Sequence, residues 1–147
     1  MLSAATAKHL ALSVTGLVYE SDDDEVPDTV FHEHMPSSPD TAVAVMSAGG
    51  RPQPTLGAHD FPSVQVLVRA LDAQTGHDLA MAIYGELHGL DRSTLDDGGD
   101  DEVFVIGCTA TQSAPIPLGK DANQRHEWSL NFDLTIDAPS THRPGGT

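Results

Sequence analysis

His32, Glu33 and His34 stand in a row, and their types and spacing could do chemistry. On an extended chain, residues two apart share a face, so both imidazoles could hold one zinc ion. A catalytic zinc needs a third ligand, for which His59, His77, His88 and Asp60 are candidates by abundance alone. The competing reading is an edge strand with exposed histidines ahead of Pro36. No second motif of fixed spacing accompanies the pair, so the sequence assigns no metal ligands. Other chemistries have less to stand on. Ser63 and Ser129 lie outside any G-x-S-x-G elbow. Gly49-Gly50-Arg51 and Gly98-Gly99 lack the following helix and lysine of a phosphate loop. Cys108 sits in an apolar run, the setting of a small core side chain rather than a thiolate. The sequence therefore predicts no catalytic residue, no cofactor and no enzymatic activity.

Charge is the next feature. There are 22 Asp and Glu against 7 Lys and Arg, a net charge of -15. Arg69 and Arg125 fall at strand ends among many carboxylates, and two readings stay open for them. One is a surface ion pair, worth at most about 1 kcal/mol. The other is a contact between subunits, where a planar guanidinium grips a carboxylate bidentately. The acids gather in two segments. Asp22, Asp23, Asp24 and Glu25 lie in the run from Glu20 to Asp28, and Asp96, Asp97, Asp100 and Asp101 lie between Asp91 and Glu102. Dense like charge favours solvated loops, and the first run lacks the alternating ligands and glycine of an EF-hand. A pI near 4.5 argues against non-specific binding to DNA, RNA or anionic membranes. It does not exclude a protein that lets DNA pass without holding it.

The elements that must position these residues follow from pattern. A length of 147 residues fits one domain. A single cysteine excludes an intrachain disulfide framework. No apolar run reaches the roughly 20 residues that span a bilayer, so the chain reads as a soluble, cytosolically made protein. Ser3 is positioned to cap a helix running to about Val14, stopped at Gly16. Strands are expected over 30–35, 41–47, 63–70 and 103–111, with Gly107 marking a bulge or close approach. Gly49 and Gly50 suit a turn that needs positive φ. Asp72 or Thr75 caps a second helix over 77–88, where Leu79, Ile83 and Leu87 form the stripe. Pro115 and Pro117 read as strand breakers. The clearest alternation runs from His126 to Asp137, with Trp128, Leu130, Phe132, Leu134 and Ile136 on one face.

Two helices are too few for the crossovers of a parallel α/β sheet. The expected fold is α+β: one domain over residues 1–138, with a mostly antiparallel or mixed sheet of about five strands packed by two helices. Residues 139–147 are expected to be a flexible C-terminal tail.

Several segments, taken in order, carry a resemblance. They are Gly16-Leu17-Val18-Tyr19 after the first helix, MPSSPDTAVAVMSAGG, FPSVQVLVRAL, AMAIYGELHGL, and PIPLGKDANQRHEWSLNFDLTI. The chain resembles the tail terminator family of long-tailed bacteriophages, also described as minor capsid or head-to-tail connector proteins. The likeness lies in order and spacing over most of the chain, with the two acidic segments as variable insertions. The resemblance implies a virion protein at the junction of tail and neck, assembled in the host cytoplasm. It implies a homo-oligomeric ring, a hexamer, that caps the tail tube and stops its polymerisation. Its implied partners are the tail tube protein and a neck or head-completion protein, with DNA passing through the lumen unbound and no membrane involved. It implies Arg69, Lys120, Asp121 and Arg125 as candidate subunit contacts, and the eight loop acids above as candidate lumen or interface groups. Alternatives are a head-completion stopper or a tube-like ring protein of the same connector, a metal enzyme built on His32 and His34, and, last, a DNA mimic.

Overall fold

The computed structural model describes residues 1–52 and 57–138, so the expected tail over 139–147 lies outside the described residues. The chain forms α1 (Leu2–Ser13), β1 (Val30–His32), β2 (Ala42–Ser47), β3 (His59–Asp60), β4 (Ser63–Ala70), α2 (Ala73–Leu87), β5 (Asp91–Leu95), β6 (Val103–Ala110), β7 (Ile116–Lys120) and β8 (His126–Asp137). The fold is α+β, as the patterning requires.

β8 is the spine of the sheet, whose order is β1-β2-β4-β8-β6-β5. One edge of β8 pairs antiparallel with β4, from Ala70↔His126 to Ser63↔Asp133, and then with β3 at Asp137 and Ile136. The other edge is shared. β7 takes residues 126–129 and β6 takes residues 132–136. β1 lies parallel to β2 at the far end, and β5 closes the opposite end as a hairpin with β6.

The alternation of β8 fixes which face is the core. Leu130, Phe132 and Leu134 are buried on the helix side, where Phe132, Leu130 and Trp128 stand opposite Val64, Val66 and Val68 of β4. α2 covers this middle, presenting Gly76, Ala80, Ile83 and Leu87. α1 packs on β1 and β2 and also touches β5, so the sheet curls until both ends meet one helix. Full burial of each large aliphatic or aromatic side chain here contributes roughly 1.5–3 kcal/mol.

The details correct several expectations. Ser3 is buried inside α1 rather than capping it, and Met1 holds the cap position without a side-chain bond. α2 begins earlier than residue 77, because Asp72 accepts from the Thr75 N–H (2.9 Å). β1 stops at His32 because Glu33 adopts φ 63. Part of the acidic segment after Gly89 is the strand β5, in which Leu95 is the buried anchor. The stretch expected to be broken by Pro115 and Pro117 is instead β7, which among the described residues pairs on one edge only, so Pro117 forfeits no second ladder there. With the short β3, these strands bring the sheet to eight among the described residues, against the five or so expected. Gly107 does mark a bulge, seen as the register shift between Val105 and Gly107. Gly49 and Gly50 take φ 79 and 88, and a Cβ on Gly50 would stand 2.2 Å from the Phe61 carbonyl oxygen.

Candidate assembly surfaces

The connection from β1 to β2 runs through Pro36, Ser37, Ser38 and Pro39, whose Ser38–Pro39 peptide is cis. Two arginines hold it. Arg69 leaves β4 on the face away from the helices and is 3% exposed. Its Nε donates to the Asp40 carbonyl (3.2 Å), Nη1 to that of Pro36 (2.6 Å) and Nη2 to that of Pro39 (2.5 Å). Burial, and then the like charge of Arg125, push Arg69 down from the ordinary arginine value. Three carbonyl acceptors stabilise the cation in return.

Arg125, at the start of β8, donates Nη1 to the Ser37 carbonyl (2.6 Å) and Nε to Asp121 (2.8 Å). Asp121 also accepts from the backbone N–H groups of Asn123 and Arg125, which hold its carboxyl below the ordinary value and fix the β7–β8 turn. Both guanidinium groups are therefore engaged within the chain. The sequence gives one clue to this. Pro36 and Pro39 have no N–H, and carbonyls in such a loop must find donors from elsewhere.

The eight candidate acids divide. Asp22, Asp23, Asp24 and Glu25 are exposed in the loop after Tyr19, and Asp97 and Asp100 are exposed in the β5–β6 turn. Asp96 and Asp101 face inward to α1, where Lys8 Nζ lies 2.9 Å from a carboxylate oxygen of each. The N-terminal amine also reaches Asp101 (2.8 Å). The amine's hydrogen bond, and then that of Lys8, hold Asp101 at about 2, and Lys8 lowers Asp96. Lys8 is raised in return by the same two carboxylates. The cluster ties the first helix to the β5 edge of the sheet. Nothing in sequence spacing announces a contact across 88 or 93 residues.

The histidine pair does not form a two-residue strand repeat. His32 Nδ1 shares a 2.8 Å hydrogen bond with the Tyr19 hydroxyl, and burial raises that phenol to about 12. The turn at Glu33 sends its own carboxylate to the backbone N–H (2.7 Å) and hydroxyl (2.6 Å) of Ser47, which lower its value. His34 Nδ1 lies 3.2 Å from the His32 carbonyl oxygen. Among the described residues, no three His, Cys, Asp or Glu side chains converge as a metal-binding group. Cys108 is buried in the core, which pushes its thiol up to about 12, so it is a protonated packing group at neutral pH.

A half-open cavity of about 270 Å³ lies on the outer face, lined by Arg51, Phe61, Ser63, Thr109 and Asp133 among others. Its Ser63 hydroxyl is bound to Asp133 (2.6 Å), and the Arg51 guanidinium stacks 4.4 Å from the Phe61 ring centre. Two further features are apolar and accessible. β7 exposes Ile116 and Leu118, and the edge of β7 away from β8 pairs with no strand among the described residues. A groove of about 420 Å³ runs between the second half of α1 and Leu17-Val18-Tyr19, with Leu12 89% exposed on its wall.

Residues 13–138 match the family model described as bacteriophage tail terminator protein. The chain belongs to that family, and is thus a structural protein of the phage tail. A search of curated proteins finds no match. Among solved structures, a chain of the virion of a native gene transfer agent particle shares the fold. It has a TM-score of 0.57 and 16% identity, with 75% of this chain and 79% of that one covered.

Proposed function

We propose that this protein is the terminator of a long phage tail: a homohexameric ring at the junction of tail and neck. The ring caps the tail tube, stops its polymerisation, and presents a surface to the neck or head-completion protein, the position that the name minor capsid protein denotes for such connectors. The observation that carries this reading is the family match over residues 13–138. The partners are other copies of the chain, the tube protein and the neck protein. The protein performs no reaction and needs no cofactor. Residues 1–138 make up the assembling domain, with 139–147 as its tail. Assembly takes place in the host cytoplasm, and no membrane takes part. Among the described residues, no helix is long and apolar enough to cross one.

DNA passes through the lumen without being held. Six copies of -15 carry about -90 formal charges, and acids near a lumen would repel phosphates. Asp22, Asp23, Asp24, Glu25, Asp97 and Asp100 are the exposed groups suited to that position. Asp96 and Asp101 are turned to Lys8 and contribute less. Lys120 remains a candidate subunit contact, whereas Arg69, Asp121 and Arg125 act on assembly through the loops they fix.

Electron microscopy of particles with this chain labelled near its C-terminus tests the reading. One ring of label between tail and neck is expected. Label repeated along the tail would make the chain a tube subunit, and label at the head side of the neck a stopper. Label on the shell, or none in the particle, would overturn the reading.

A further inference from the structure

We propose that the joint between adjacent subunits is made by the β7 arm of one copy seated in the groove beside α1 of the next. This inference rests on the ring reading above. A closed ring needs two different, complementary patches on each subunit. The arm supplies one. β7 projects Ile116 and Leu118, 41% and 53% exposed, and a register shift between Pro117 and Gly119 turns this stretch off the regular ladder. Exposed edge strands with apolar side chains are usually blunted or covered, because they invite pairing with another chain. The groove supplies the other patch, with Ala11, Leu12, Leu17 and Val18 offering an apolar lining of matching character.

Charge sets the direction. Among the described residues Lys120, at the tip of the arm, has no ion-pair partner, as is also true of Arg92 and of Arg51, which stacks on Phe61, whereas Lys8, Arg69 and Arg125 are engaged within the chain. The groove lies between the two acidic segments. Tyr19 on one wall leads into Glu20 and the Asp22–Glu25 run, and the other wall, where Lys8 is paired with Asp96, leads into the exposed Asp97 and Asp100. In a chain of net charge -15, most surfaces repel a second copy. A cationic tip entering an acidic rim is the arrangement that lowers that repulsion.

The test uses the full chain with Leu118→Asp and Leu12→Asp. Both positions are exposed, so each variant is expected to retain the wild-type circular dichroism and melting temperature. Native mass spectrometry should show rings for the wild type and monomers for either variant alone. Leu118→Asp keeps an intact groove and Leu12→Asp keeps an intact arm. Mixed in equal amounts, they should therefore form a one-to-one heterodimer that cannot close. Lys120→Glu should lower the assembled fraction at low salt. Rings formed by Leu118→Asp would overturn the arm while leaving the ring reading standing. If those rings failed to dock on tubes, the arm would belong to the tube contact instead. Two monomeric variants that do not pair would also overturn the inference. A wild type that stays monomeric, in solution and on tube ends, would overturn the ring reading and this inference together.

Discussion

Arg69 and Arg125 fix a loop that has no regular hydrogen bonding of its own. Replacing Arg69 with Met leaves the carbonyls of Pro36, Pro39 and Asp40 without their donors. The expected cost is about 2–4 kcal/mol, from buried polar groups left unpaired, and urea unfolding measures it. Arg69→Lys should recover only part of this, because an ammonium cannot span three acceptors in a planar fork. Lys8 works similarly between Asp96 and Asp101. Both carboxyls are lowered in the folded chain, so the unfolded chain binds more protons as acid is added. Their stabilisation is present above the ordinary 3.8 and is lost as pH falls below it, for Asp101 toward about 2. Lys8→Met should move the acid-unfolding midpoint to higher pH, as followed by circular dichroism. These residue roles were hard to read in the sequence for a common reason. A cation's partner is decided by distant backbone and side chains, and local spacing carries no record of it.

At the scale of elements, α2 contains two glycines with opposite expected responses. A Cβ at Gly85 would meet nothing within 4 Å, so Gly85→Ala should raise stability by roughly 0.5–1 kcal/mol through helix propensity. A Cβ at Gly76 would stand 2.8 Å from Trp128 Nε1, in the ring that packs this helix on β8. Gly76→Ala should therefore lower the melting temperature, despite the same gain in propensity. The elements that sequence reading found share one property. β4, α2 and β8 each bury a full stripe, and a buried stripe leaves a period of two or of 3.6. β5 and β7 leave none. β5 buries only Leu95 at its end, and all five residues of β7 are exposed. Pro117 misled because proline excludes a central strand but is tolerated on an edge. The candidate surfaces inherit this imbalance. The Tyr19 end of the groove and the tip at Lys120 lie in segments already singled out by resemblance. The arm as a strand, and the inward turn of Asp96 and Asp101, depended on pairing between segments far apart.

For the whole molecule, surplus charge sets the conditions of assembly. Bringing acidic subunits together concentrates like charge, and salt screens it over about 10 Å at 0.1 M. The proposed rings should become more stable as salt is raised from low levels, read as the assembled fraction in sedimentation velocity. Rings that loosen over the same range would mean that attractive contacts outweigh the net repulsion. The order of strands bears on a different matter, the emergence of the chain from the ribosome. β4 and β6 reach each other only through β8, and β8 is the last of the described strands to be made. A nascent chain that has released 120 residues holds the flanking strands but not the one that joins them. β1, β2 and β4 can pair among themselves, as can β5 and β6, but the complete sheet forms only after translation passes residue 137. A chain that stops before its spine strand therefore leaves two unjoined halves of the sheet, each with an open edge at β4 or β6.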